Sequence, residues 1–262
     1  MQVVHVTQHI VKWLREYVHQ SKTEGFIVGV SGGVDSAVTS ALAAGTGLPV
    51  ICVEMPIYQN ARQVSRAFNH IRELRQNHHN VKTEKVDLSA VFDSFLGELP
   101  DTNSHEARDK SLVNVRARLR MTALYYFAGL KNYLVVGTGN KVEDFGVGFF
   151  TKYGDGGVDL SPIADLTKTE VYDLGKYLGV NPDILVAPPT DGLWGDDRTD
   201  EDQLGATYPE LEWAMEQQQA GKTAKDFEGR QKRVMEIYLR QHRANRHKML
   251  PIPVCEVPAK WR

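Results

Sequence analysis

The sequence contains very little cysteine: Cys52 and Cys255 are the only two among 262 residues. Two thiols cannot build a disulfide framework or a cysteine-based zinc site. Cys52, inside an apolar run, reads as a small core residue. A reducing compartment follows, and a cytoplasmic location is expected. No stretch approaches the length of a membrane span. The opening MQVVHVTQHIVKWLREYVHQ mixes His, Lys, Arg and Glu into its apolar positions, which a signal-peptide core does not. An excess of charge of one sign is also missing. With 31 Lys and Arg against 33 Asp and Glu the formal net charge is -2, so there is no global footprint for nucleic acid or an anionic membrane, and any basic site must be local. Internal repeats and low-complexity runs are absent too.

The chain is long enough for one large α/β domain or two small ones. Ile10, Leu14, Tyr17 and Val18 share one helical face. Phe26 to Val30 and Pro49 to Met55 read as buried strands, separated by a Gly-rich turn and the helix-like AVTSALAA. A helical pattern from about Ser111 to Gly129 leads into a further apolar strand, Tyr133 to Val136, which ends in Gly137-Thr138-Gly139-Asn140. Strands separated by helices predict an α/β fold, a doubly wound parallel sheet flanked by helices, read as a single domain over residues 1–262. In such sheets ligands lie beyond the carboxyl ends of the strands, which puts Ser31 to Ser36 and Thr138 to Asn140 on one rim. The stretch from Val186 to Thr207 is rich in Pro, Gly and Asp without periodicity. It reads as a long loop and a candidate substrate cover. Phe227 to Lys248 reads as a helix ending in the basic cluster His242, Arg243, Arg246, His247 and Lys248.

The strongest local signal is FIVGVSGGVDSAV, a strand running into Ser31-Gly32-Gly33, then Asp35-Ser36, then a helix. Adjacent glycines let the backbone approach an anion, and the free N–H groups of the helix start point at it. The expected ligand is a phosphate, although neither a Walker A ending nor a G-x-G-x-x-G fingerprint is present. A carboxylate beside a polyphosphate needs a cation between them. Asp35 is therefore expected to hold Mg²⁺, the alternative being a simple cap of the helix.

SGGVDS resembles the pyrophosphate-binding loop of the N-type ATP pyrophosphatases, whose fold is of the adenine nucleotide alpha hydrolase kind. Within that group, GTGNKVEDFGVGFFTKYGDGGVDLSPIADLTKTEVYDLGKYLGV (137–180), NVRARLRM (114–121), PPTDGLW around Thr190 and His247-Lys248 resemble the ammonia-dependent NAD synthetases over nearly the whole chain. That resemblance implies an ATP site formed by Gly29, Val30, Ser31, Gly32, Gly33, Val34, Asp35, Ser36, Thr138, Lys168 and Thr190, with Asp35 and Lys168 serving catalysis. It implies Mg²⁺ ligands Asp35 and Glu143. The spacing from Glu143 to FFTK is one residue longer than in shorter members, which leaves Asp144 as the alternative ligand. It implies deamido-NAD contacts from Arg118, Lys152, Asp159, His247 and Lys248, with Arg116 and Arg120 left to surface or interface roles. Where the family often has Arg-Leu-Pro, this chain has Glu54-Met55-Pro56, and Arg62 is the candidate substitute for that arginine. Three glycines in YGDGG (153–157) suggest unusual backbone angles and close approach to a ligand.

The reaction implied is adenylation of the nicotinate carboxylate of deamido-NAD by ATP, with release of pyrophosphate. Attack by ammonia then gives the amide and AMP. Glutamine-dependent relatives carry an N-terminal amidase domain. Only about 25 residues precede the loop here, so free ammonia or a separate donor is expected. A tRNA-modifying enzyme with the same loop would need catalytic or metal-binding cysteines and a basic surface. GMP synthetase matches only at the loop. A non-catalytic nucleotide-binding module would not need Asp35, Glu143 and Lys168 together. No nucleic-acid or membrane partner is expected, and the resemblance implies a homodimer.

Overall fold

The computed structural model describes residues 1–101, 104–190, 192–194 and 198–262. In chain order the elements are helix Val3–Ser21 (α1), strand Gly25–Gly29 (β1), helix Val34–Ala44 (α2), strand Val50–Glu54 (β2), helix Ala61–Asn77 (α3), strand Val81–Lys85 (β3), helices Ser89–Gly97 (α4) and His105–Lys131 (α5), and strand Tyr133–Val136 (β4). A π-helical turn, Val142–Val147, follows. After it come helices Lys168–Tyr177 (α6), Pro182–Leu185 (α7), Asp200–Leu204 (α8), Tyr208–Gln219 (α9) and Gly229–Met249 (α10).

The four strands form one parallel sheet in the order β3-β2-β1-β4. Alternation along β1 and β2 explains why both faces are covered. Phe26, Val28, Val50 and Cys52 face a core shared with α1, α2, α3 and α6, whereas Ile27, Ile51, Val53 and Met55 face a second core beneath α4 and α5. This is the doubly wound arrangement expected. A third cluster, including Val142, Leu211, Met235 and Tyr238, seals the π-helical turn against α9 and α10.

The strands expected at 26–30 and 49–55 and the helix expected at 227–248 lie within a residue or two of the observed elements. The fifth helix starts earlier than expected, capped by Ser104, whose hydroxyl accepts from Ala107 N–H. The segment 186–207 is not all loop. Thr199 and Asp202 form a capping box that starts α8 inside it, while residues 191 and 195–197 of that segment, and hence Asp191 of PPTDGLW, lie outside the described residues.

Candidate functional site

The loop after β1 enters α2 through Gly33, the N-cap, so Asp35 sits inside the first turn and is not the cap. Gly32 turns at φ 84°, and a Cβ there would come within 2.5 Å of the Gln63 carbonyl on α3. Only glycine fits both the angle and the contact. Gly32 thus shapes the loop from behind, whereas Gly29, Val30, Ser31, Gly33, Val34, Asp35 and Ser36 line the cleft in front of it. The loop's own hydroxyls occupy its amides: Ser36 Oγ accepts from Ser31 N–H at 3.2 Å and Ser31 Oγ from Gly33 N–H at 3.3 Å. Stronger acceptors such as phosphate oxygens could take their place.

Opposite the loop stands Lys168, the first residue of α6, fixed there by a capping box between Thr167 and Glu170. Its side chain is 4% exposed, and its Nζ donates to Asp35 Oδ2 at 2.6 Å and Glu143 Oε1 at 3.0 Å. Asn140, fully buried at the end of the β4 rim, donates from Nδ2 to Asp35 Oδ1 at 3.1 Å. The Tyr208 hydroxyl donates to Glu143 Oε1 at 2.5 Å and lies 3.3 Å from Asp200 Oδ2. Its ring faces Lys168 Nζ, 4.6 Å from the centroid. Burial alone would push the Lys168 ammonium down, but Asp35 and Glu143 outweigh it and hold the group firmly protonated. Asp144, also lining the cleft, is pushed up to about 8, first by burial and then by Glu143. One ammonium therefore bridges two carboxylates, Asp35 and Glu143, with the Asp144 carboxyl close enough to Glu143 to feel its charge. Among the described residues no group of three or more His, Cys, Asp or Glu converges in metal-binding geometry.

The π-helical turn sets this geometry. It carries Glu143 and Asp144, and it ends at Gly148 (φ 66°), where Asn245 of α10 leaves no room for a Cβ. A widened turn is how a helix accommodates one extra residue, and such turns favour functional positions. Gly139 completes the fit, because a Cβ there would lie 2.2 Å from Asp144 Oδ1.

Thr138, Lys168 and Thr190 line the same cleft as the loop. So does Arg120, against the expectation of a surface role. Its Nε donates to Met55 O at 3.0 Å and its Nη2 to Gln59 Oε1 at 2.7 Å. Arg116 instead stacks on Phe92, 4.4 Å from the ring centroid. Arg62 does not line the cleft. Arg66, one helical turn on, does, and donates to Gly32 O at 3.1 Å. The arginine at the Glu54-Met55-Pro56 corner is thus Arg120, while Arg66 stands behind the glycine loop. The unusual angle expected in YGDGG falls on Tyr153 (φ 62°), not on its glycines. Those are demanded by packing, since a Cβ at 154 would strike Thr151 and Ala117, and one at 156 would strike Phe150.

Four of the residues assigned to the dinucleotide form a strip on the lip of the cleft, next to its lining residues Ala117 and Gly154. Arg118 Nη2 donates to Lys152 O at 3.3 Å, Lys152 Nζ to His247 O at 2.9 Å, and Lys248 Nζ to Phe150 O at 2.6 Å. Asp159 is elsewhere. Its carboxylate accepts from Tyr125 OH at 2.9 Å and Val135 N–H at 2.8 Å, and it borders a separate cavity. Asn140 stands on the rim expected from the sequence, in the quoted GTGN stretch, whereas Tyr208 and Asp200 are not among the expected site residues. Those two lie far along the chain and no spacing links them to the loop.

Comparison with known proteins agrees with this geometry. A family model described as NAD synthase matches residues 6–251. The NH(3)-dependent NAD(+) synthetase of Carboxydothermus hydrogenoformans is 41% identical over 79% of this chain and 82% of its own length. That of Alkaliphilus metalliredigens is 38% identical over 97% of this chain and 99% of its own. The solved structure of an NMN synthetase from Francisella tularensis superposes with a TM-score of 0.84 at 32% identity, covering 99% of both chains.

Proposed function

The chain belongs to the NAD synthase family, and from that premise we propose how its cleft carries out the ATP-dependent amidation of deamido-NAD to NAD with ammonia. The observation that carries the reading is the single buried ammonium of Lys168 bridging Asp35 and Glu143 in front of a phosphate-type loop.

The loop amides of Ser31 and Gly33 and the start of α2 hold the triphosphate, with Thr138 and Thr190 contributing hydroxyls. The nicotinate carboxylate oxygen attacks the α-phosphorus as the bond to the β-phosphate oxygen breaks, and pyrophosphate leaves. Ammonia then attacks the carboxyl carbon, the bond to the AMP oxygen breaks, and the nitrogen loses a proton. Carboxylate is a poor electrophile, so the adenylate supplies the leaving group. The protein's part is positioning and neutralisation of charge. Lys168 places its positive charge against the phosphoryl oxygens, and Asn140 and Tyr208 fix the two carboxylates that aim it.

Asp35 and Glu143 fit Mg²⁺. They are hard oxygen donors side by side on the cleft, two carboxylates sharing one ammonium, and magnesium completes its shell with phosphate oxygens and water. Bound there, it would neutralise charge on the leaving pyrophosphate. Arg118, Lys152, His247 and Lys248 receive the pyrophosphate and nicotinate carboxylate of the dinucleotide. Asp159, which borders the separate cavity, would take a ribose hydroxyl with the acceptor positions that Tyr125 and Val135 leave open. We read residues 1–262 as one catalytic unit covered by 186–207, working in the cytoplasm as a homodimer. The exposed Tyr126 (65%) and Leu130 (60%) on α5 support the dimer by offering an apolar face to a second copy. No helix among the described residues is long and apolar enough to cross a membrane.

The test is pyrophosphate and AMP release from ATP, Mg²⁺ and ammonium with deamido-NAD, nicotinate mononucleotide or xanthosine monophosphate in turn. Turnover with deamido-NAD is expected. A second reading, a ligase that amidates a mononucleotide, is favoured by the likeness to the Francisella NMN synthetase along the full chain, and turnover with nicotinate mononucleotide alone would establish it in place of the first.

A further inference from the structure

We propose that Glu54 selects the sugar of the nucleotide, its carboxylate accepting hydrogen bonds from the ribose hydroxyls of the ATP held by the 31–36 loop; this rests on the reading of that loop as the triphosphate site.

Glu54 ends β2, the strand next to the one that feeds the loop. Val30 N–H donates to Val53 O at 3.0 Å, so Glu54 lies beside the first loop residues, one strand spacing of about 4.8 Å away. Ribose is the next group along from the α-phosphate, and this offset suits it. The strand order β3-β2-β1-β4 reinforces the point. In doubly wound dinucleotide sites built on a G-x-G-x-x-G turn, which this loop is not, an acidic residue about twenty positions further on takes the ribose hydroxyl, and the comparison is one of position in the sheet. Glu54 occupies that place.

The side chain itself calls for a partner. Glu54 is only 8% exposed, yet it lines the cleft, together with Gln59, Gln63 and Arg120. Among the described residues its carboxylate has no hydrogen bond or ion pair. Arg120 donates instead to Met55 O and Gln59, and Lys85 is its neighbour in strand register. Burial pushes the Glu54 carboxyl up, as expected of an acid without a donor. Among the described residues the Thr39 hydroxyl is the one sealed side-chain polar atom without a partner, so the Glu54 oxygens are not sealed in the core but open into the cleft. A carboxylate enclosed in a ligand cleft and left without a donor is therefore best explained by a donor on the ligand. A nucleoside offers two kinds: the ribose hydroxyls and the amino group of adenine.

Calorimetric titration of the full chain with ATP, 2′-deoxyATP, 3′-deoxyATP and purine riboside triphosphate, which lacks the amino group, separates them. The wild-type chain is expected to bind ATP more tightly than at least one deoxy analogue by roughly tenfold to a hundredfold, the range for a hydrogen bond to a charged acceptor. Glu54→Ala should weaken ATP by that factor while leaving the affinity for that analogue within about twofold, so that the preference disappears. Glu54→Gln, whose amide oxygen still accepts, should keep part of it. In turnover the loss should appear in KM for ATP, not in kcat. Wild-type preference surviving in Glu54→Ala, or equal wild-type affinity for ATP and both deoxy analogues, would overturn the proposal. So would selective loss of discrimination against the purine analogue, which would assign Glu54 to the base. Should Glu54→Ala fail to melt cooperatively, Glu54→Gln alone decides, with an unchanged preference counting against. Because binding is read without turnover, absence of pyrophosphate release in the wild type would reject the amidation reading and leave this result standing or falling by itself.

Discussion

The cleft and its lip hold charge in opposite ways. Inside, Lys168 is sealed from solvent and bonded to the carboxylates of Asp35 and Glu143, so its position follows from ion pairs that only a folded chain can assemble. On the lip, Arg118 and Lys152 donate to main-chain carbonyls from exposed positions, and Lys248 does so from a half-buried one. The first arrangement suits a group that must already be in place when charge develops. The second suits groups that capture a substrate and are screened by salt. A buried ion pair broken on one side is costly, whereas an exposed cation can be removed at small cost to the fold.

Substitutions can break or sharpen that contrast, taken here by their expected effect on turnover. Lys168→Met leaves Asp35 and Glu143 facing each other without a cation. It should lower stability by about 3–5 kcal/mol in denaturant titration and reduce pyrophosphate release by roughly a thousandfold or more. Near-normal turnover would remove Lys168 from the chemistry. Asp35→Asn keeps the shape and the neighbours. It should cut kcat by roughly a hundredfold or more and lower stability by less than Lys168→Met does, because Lys168 keeps its bond to Glu143, so a variant with full activity would show that the carboxylate is structural. Arg118→Ala should leave Tm unchanged and raise KM for deamido-NAD by about tenfold, with the difference shrinking as salt is added. A fall in kcat at saturation would place it inside the chemistry instead.

His70 separates burial from function. It is buried between α2 and α3, its Nε2 2.9 Å from Ser40 Oγ, and burial holds it down at about 4 from the usual 6.5. The unfolded chain then binds the extra proton between those two values, so stability is present above about 6.5 and is lost as pH falls toward 4, by up to about 3 kcal/mol. His70→Gln should flatten that slope in pH-dependent melting while kcat near neutral pH stays as in the wild type.

How much of this was legible in the sequence depends on how local each signal is. The loop and the strands around it could be read because glycines, a helix start and apolar runs lie next to one another. By contrast β3, VKTEK, is an edge strand with only Val81 buried, so it has no apolar alternation to find. The start of α8 did have a signal, Thr199 three residues before Asp202, hidden by the surrounding Pro and Gly. On α5, helical periodicity alone does not say which of Arg116, Arg118 and Arg120 turns toward the cleft; the β2 corner that receives Arg120 is 61 residues away from it in sequence at Gln59. Tyr208 and Asp200 needed the fold itself, because the packing of α9 on the π-helical turn brings Tyr208 to Glu143, and Asp200 of α8 joins them only through the Tyr208 hydroxyl.

Lys168 opens a helix, the end at which peptide dipoles repel a cation, and the capping box of Thr167 and Glu170 prevents it from sliding to a friendlier turn. The two acids opposite, with the Tyr208 ring beside them, keep it there. An entering polyanion therefore meets a side chain with weak local loyalties, ready to swing its allegiance toward the newcomer while its backbone stays still. The resting molecule keeps its counter-charge on a short tether, aimed at a guest it has yet to receive.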